Sequence, residues 1–341
     1  MSSSLKVMCR TTQFCCRVRP KTLGNRYRER EKRFPVPCRA VGGKEERGLV
    51  DVISSKLNAL YGISNCQRII KSLELNLAQR EMVIYHKGKG EQRASSFIED
   101  LSANPYHDVN SGQYEWLETL EENYEDIRHE LSAALVNPEL QNLGNSIWVP
   151  AAREDAVAYG PNWRTLVLQD RCQWEEVNSE LFPKTTLLLK RSGCPSVEIF
   201  FARQPPSTGI KPHTDNTNFI LTAHLGLDVP ENSAWMQVGD FKKYWENGKG
   251  LVADTSFIHS TMNESTCSDR YVLIVRFWHP ELSKVERCAL QFLFDVLDDP
   301  SEYGISEAEK RAKGRNNAQV RKRSKRKSAS SGLGLLSKGM R

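Results

Sequence analysis

From residue 186 onward the chain falls into short extended runs, 186–189, 197–202, 218–227, 234–238, 251–253 and 271–278, separated by Gly, Pro and Asn. Runs this short and this evenly punctuated predict an all-β sandwich or barrel. Side chains alternate across a strand, so Asn218, Ile220, Thr222 and His224 share one face. Phe219, Leu221, Ala223 and Leu225 share the other. A polar face inside a barrel ordinarily looks onto a site.

Chemistry gathers on either side of that strand. His213 and Asp215 are two positions apart and point the same way on an extended backbone. His259 arrives 46 residues after His213, and Arg270 follows 11 later at the head of an apolar run. A His-x-Asp pair with a distant second His suits a 2-His-1-carboxylate triad, which leaves open positions on non-haem Fe(II). An Arg shortly after the distal His could grip a carboxylate co-substrate with its planar fork. Taken singly, each of these His residues is more readily a structural one, and a lone His-x-Asp decides nothing.

Four further motifs appear in order: Leu221-Thr222-Ala223-His224-Leu225-Gly226-Leu227, Trp245-Glu246-Asn247-Gly248-Lys249-Gly250, Asp254-Thr255-Ser256-Phe257-Ile258-His259 and Arg276-Phe277-Trp278-His279-Pro280-Glu281-Leu282. Together they resemble the aspartyl/asparaginyl β-hydroxylase family of Fe(II)/2-oxoglutarate dioxygenases, closely over residues 197–282 and more thinly back to 96. The resemblance implies a mainly β fold: a double-stranded β-helix of jelly-roll or cupin-like type, with N-terminal helices packed on it. It implies Fe(II) as cofactor, with 2-oxoglutarate and O2 as co-substrates. It assigns His213 and His259 as iron ligands and places Asp215 at the carboxylate position. The family's animal protein hydroxylases carry Gly there and hold iron through two His, so this chain looks more like the ordinary triad. Arg270 matches the residue that pairs with the distal carboxylate of 2-oxoglutarate, and His224 a residue near the same molecule. Thr222 stands where the animal enzymes carry Arg, and Ala202 where they carry Ser. Asp254 and Ser256 are candidates to orient His259 from behind, and His279 to cap the last strand.

The implied reaction is hydroxylation of an unactivated C–H bond, with a β-carbon of Asp or Asn in a peptide or protein as one substrate. Lipids and small acids are equally compatible, because fold does not fix substrate. The competing reading is a catalytically silent jelly-roll module acting through its helices or basic tail. The intact set of His213, Asp215, His259 and Arg270 argues against it.

Outside this region the readings are coarser. The net charge of +6 hides a division: residues 1–28 carry seven Lys/Arg and residues 310–341 twelve, neither with an acid. The body between is acidic. Residues 1–44 read as a basic leader, and their composition suggests a transit peptide, the Ser-rich start leaning to a plastid rather than a mitochondrion. Cytosol and nucleus are the other readings. Nine cysteines without metal-ligand spacing fit a reducing compartment. Helical spacing predicts two helices in residues 45–87, split at 62–65, then a polar linker at 88–94. One long helix is expected over 111–136, opening the dioxygenase domain that runs from 96 to 300. Residues 301–341 read as a solvated, disordered tail whose Arg321-Lys322-Arg323-Ser324-Lys325-Arg326-Lys327 could touch nucleic acid. No stretch of 18 or more apolar residues offers a membrane-spanning helix.

Overall fold

The computed structural model describes residues 44–138, 148–150, 158–160 and 163–333. The leader and its transit-peptide reading lie outside them. Among the described residues no helix is long and apolar enough to cross a membrane. The helices are α1 (Lys44–Tyr61), α2 (Gln67–Leu77), α3 (Glu115–Glu122), α4 (Tyr124–Val136), α5 (Glu176–Leu181), α6 (Pro183–Arg191), α7 (Lys284–Asp298) and α8 (Glu302–Leu333). The strands are β1 (Met82–His86), β2 (Gly90–Ala94), β3 (Tyr106–His107), β4 (Val149–Pro150), β5 (Ala158–Tyr159), β6 (Arg164–Asp170), β7 (Gln173–Trp174) and β8 (Ser196–Gln204). They continue with β9 (Thr208–His213), β10 (Ile220–Asp228), β11 (Ala234–Val238), β12 (Phe241–Tyr244), β13 (Gly250–Ala253), β14 (His259–Asn263) and β15 (Arg270–Trp278).

Two units emerge, one spanning Lys71–Ser283, the other joining Lys44–Ile70 to the residues from Lys284 on. In the first, one sheet runs β3-β13-β10-β15-β8-β6-β4 with β7 on β6, and a second runs β12-β11-β14-β9-β5. The eight strands β8 to β15 are thus shared between the sheets as β8, β10, β13, β15 and β9, β11, β12, β14, all antiparallel. That is the double-stranded β-helix. The outward face of the larger sheet carries Leu221, Ala223, Leu225, Leu273, Val275 and Phe277, covered by Leu117, Leu120, Ile127 and Leu131 of α3 and α4. The inward face contributes Phe200, Ala202, Val272 and Ile274, which meet Ile210, Met236 and Val238 of the smaller sheet. Burying each such side chain is worth about 1.5–3 kcal/mol, so the alternation along β10 and β15 fixes which face is in.

Several expectations need correction. The helix expected over 111–136 is two, because Asn123 adopts φ −106°, ψ 18° and its side-chain amide donates to the Thr119 carbonyl. The run 186–189 is not a strand but part of α6. Pro183 opens that helix, and the Glu130 carboxylate accepts from the Lys184 and Thr185 N–H groups and the Thr185 hydroxyl. Residues 88–94 are no linker. Gly88 (φ 71°) and Gly90 (φ 101°) turn the chain into β2, whose buried face is Gly90, Gln92 and Ala94, too small and polar to read as a strand. The tail is helical to Leu333, and residues 321–327 lie within that helix.

The boundary expected at residue 300 lies at Ser283, and the helical extension divides at Ile70. In the second unit, α7 lies against α8 and α1, burying Ile53, Leu57, Phe292, Leu293 and Val296. Ion pairs from Arg68 to Glu286 and Lys56 to Glu309 link its two segments, and one from Arg315 to Asp295 joins α8 to α7. Among the described residues, Cys66, Cys172, Cys194, Cys267 and Cys288 form no disulfide.

Candidate metal centre

β9 ends and β14 begins at the two histidines, and the register of the smaller sheet sets His259 directly opposite His213. Cross-strand pairing thus closes the gap of 46 residues. The rings lie 4.2 Å apart between centroids. Asp215, just beyond β9, is fixed by its backbone N–H, which donates to the Thr255 carbonyl at 2.9 Å. Its Oδ1 stands 3.9 Å from His213 Nε2 and 4.0 Å from His259 Nε2, and all three side chains are at most 6 % exposed.

The donor set fits a metal ion. His213 Nδ1 lies 2.7 Å from the Lys211 carbonyl and His259 Nδ1 3.0 Å from the Phe257 carbonyl. A carbonyl only accepts, so each Nδ1 carries a proton and each Nε2 is left on the Asp215 side. Asp215 Oδ1 accepts no hydrogen bond although it is buried. Two ligand atoms bound to one ion at about 2.1 Å can lie up to about 4.2 Å apart, so both separations are within reach. His213, Asp215 and His259 are the one such group of His, Cys, Asp and Glu side chains among the described residues. Burial would raise the Asp215 carboxyl, but Arg276, His259 and His213 outweigh it and hold it below the usual carboxylate range.

The larger sheet faces this group with β10 and β15. His224 is buried and stacked on Trp245 with centroids 5.7 Å apart, and the Arg270 guanidinium sits 4.5 Å from the same ring. Burial, then the charges of Arg270 and His259, push the His224 pKa down to about 3, so the ring is neutral. Burial lowers Arg270 to about 9, leaving it charged at neutral pH. Among the described residues no carboxylate pairs with Arg270, and its Nε has no hydrogen-bond partner. A buried guanidinium is costly to hold unless an anion pairs with it.

The other expected residues fall differently. Thr222 lies on the same inward face but shares a hydrogen bond with Thr255 at 3.2 Å. Asn218, in the same row, is occupied by the backbone N–H and carbonyl of Ile98. Asp254 and Ser256 bond one another, and Gln92 of β2 donates to both. They shape the turn that delivers His259, whose Nδ1 partner is the Phe257 carbonyl. Burial raises the Asp254 carboxyl to about 7. Ala202 lines the interior opposite Val272, and His279 joins the Ser102 carbonyl to the Glu281 N–H.

Sequence reasoning passed over Arg276, Glu198, Gln92 and Trp245. The first two left a signal: each is a charge set among apolar residues within a strand, where a buried charge is tolerated only with a partner.

Fold and site together define a double-stranded β-helix protein with a buried His-Asp-His group that could hold a metal ion. Residues 121–280 match the family described as Aspartyl/Asparaginyl beta-hydroxylase, the family that the motifs resemble. The chain is 29% identical over 204 residues to Aspartyl/asparaginyl beta-hydroxylase of Homo sapiens, covering 58% of this chain and 26% of that protein. It is 28% identical over 205 residues to Aspartate beta-hydroxylase domain-containing protein 2 of Homo sapiens, covering 58% of this chain and 53% of that one. The match therefore spans about a quarter to a half of these relatives' lengths. Among solved structures, a Pseudomonas putida prolyl-4-hydroxylase is 17% identical with a TM-score of 0.30, over 48% of this chain and 98% of that one.

Proposed function

We propose that the chain is an Fe(II)- and 2-oxoglutarate-dependent dioxygenase that hydroxylates an unactivated C–H bond. The observation that carries this reading is a pairing across the barrel. Three converging ligand atoms lie on the smaller sheet and just beyond the end of β9, and a buried guanidinium without a carboxylate lies on the larger sheet. His213, Asp215 and His259 would hold Fe(II), which would supply O2 activation.

The chain's own residues then have separate tasks. Arg270 presents paired N–H donors to a terminal carboxylate, and Trp245 limits the directions from which that carboxylate can approach. Neutral His224 can donate a hydrogen bond to the same anion without adding charge. Phe200, Val272 and Ile274 exclude water around the polar row, which strengthens each of these contacts. The names of the relatives support a β-carbon of Asp or Asn in a peptide or protein as substrate.

The test is conversion of 2-oxoglutarate to succinate by the purified protein with Fe(II) and O2. We expect slow turnover without substrate. His213→Ala and His259→Ala should abolish it, while Asp215→Gly should weaken iron binding and recover partly in excess Fe(II). Rescue of a His variant as complete as that of Asp215→Gly would overturn the ligand assignment. Bound iron with no succinate at all would favour a silent binding module.

A further inference from the structure

The metal reading leaves one arrangement unexplained. Arg276 is 1 % exposed on β15, and the register sets it between Thr222 on β10 and Glu198 on β8, a polar row across three strands. Its NH1 donates to Glu198 Oε2 at 3.0 Å, and its NH2 lies 3.5 Å from Asp215 Oδ2. One guanidinium therefore bridges two buried carboxylates on different elements. Asp215 is held from the other side by Thr255, whose carbonyl takes its backbone N–H and whose hydroxyl reaches Thr222.

The two oxygens of Asp215 are consequently unlike. Oδ2 faces the guanidinium; Oδ1, without a hydrogen bond, faces both Nε2 atoms. A carboxylate on a single bond to its Cβ would otherwise rotate freely through both assignments. We infer that Arg276, anchored by Glu198, is a positioning residue that turns Asp215 so that Oδ1 alone completes the ligand set. This rests on the metal reading above. Glu198 matters because a guanidinium needs a second carboxylate to fix its plane; its ion pair supplies that from a neighbouring strand.

A bland alternative is a structural ion pair tying β15 to β8, and a double-mutant cycle separates the two. The variant is Arg276→Met with Glu198→Leu, which removes both charges at once. Replacing a whole buried ion pair by apolar residues is commonly neutral or stabilising, so the fold should survive, as a melting curve would show. Affinity for Mn(II) and Co(II) is measured by calorimetric titration in the full chain, with Asp215 present and with Asp215→Ala. We expect the apolar pair to weaken metal binding about tenfold or more when Asp215 is present, and by less than about twofold when it is absent. Equal weakening in both backgrounds, or none in either, would overturn the assignment. Failure of the unaltered chain to bind either ion would overturn the metal reading and this inference with it.

Discussion

Arg270 is the residue on which the co-substrate reading turns, because its charge is buried before any ligand arrives. Arg270→Lys keeps the charge but loses the paired donors. A charge-assisted hydrogen bond contributes about 1.5–3 kcal/mol, so the KM for 2-oxoglutarate should rise roughly ten- to over a hundredfold while iron affinity stays put. An unchanged KM would remove Arg270 from the role. His107 offers a test away from the site. Burial, helped by the charge of His279, lowers its pKa to about 4, while the unfolded chain titrates near 6.5. The folded state therefore favours the neutral ring, whose contribution is whole above pH 6.5 and is lost as pH falls toward 4. That linkage is on the order of 3 kcal/mol, so melting temperature should fall less steeply over this window in His107→Gln than in the unaltered chain. Parallel profiles would refute the assignment. At this scale the convergence of His213, Asp215 and His259 was legible because chemistry limits which side chains can hold a metal ion. Arg276 and Glu198 were not, because a charge within a strand acquires its meaning only when the register reveals the charge opposite.

Among the elements, the hairpin β1–β2 changes most between sequence and structure. Read as a polar linker, it instead braces the turn before His259: the Arg93 N–H donates to the Ser256 carbonyl, and the Ile258 N–H to the Glu91 carbonyl. His86 extends the brace by donating to Gln92, which holds Asp254 and Ser256. The seat of this hairpin is Gly239, at φ 54°, where an added Cβ would lie 2.0 Å from the Lys89 carbonyl oxygen. Gly239→Ala should cost about 1–2 kcal/mol from the left-handed backbone alone and more from the clash. Denaturant titration should show that loss together with weaker metal binding, since the His259 turn loses its support. A variant with unaltered stability and affinity would show that the hairpin braces nothing. The long strands β10 and β15 were readable because each is a nine-residue run rich in apolar side chains. The hairpin and α6 were not, since a buried face of Gly, Gln and Ala carries no apolar period, and α6 takes its start from a Glu far off in sequence.

For the whole molecule, the division that matters is between Lys71–Ser283 and the helical unit assembled from both sides of it. Ending the chain at Ser283 would strip Ile53 and Leu57 of the helices that bury them. Limited proteolysis should then cut first within residues 44–70, while Co(II) binding persists. Early cleavage inside 71–283 would contradict that partition. The same architecture imposes a timetable on the ribosome. At roughly 5–20 residues per second, the 213 residues from Lys71 to Ser283 need about 10–40 s to emerge. Throughout that interval α1 has been made but α7 and α8 have not, so its apolar stripe waits in the open and invites a chaperone. The first helix synthesised in the described chain is thereby among the last to be completed.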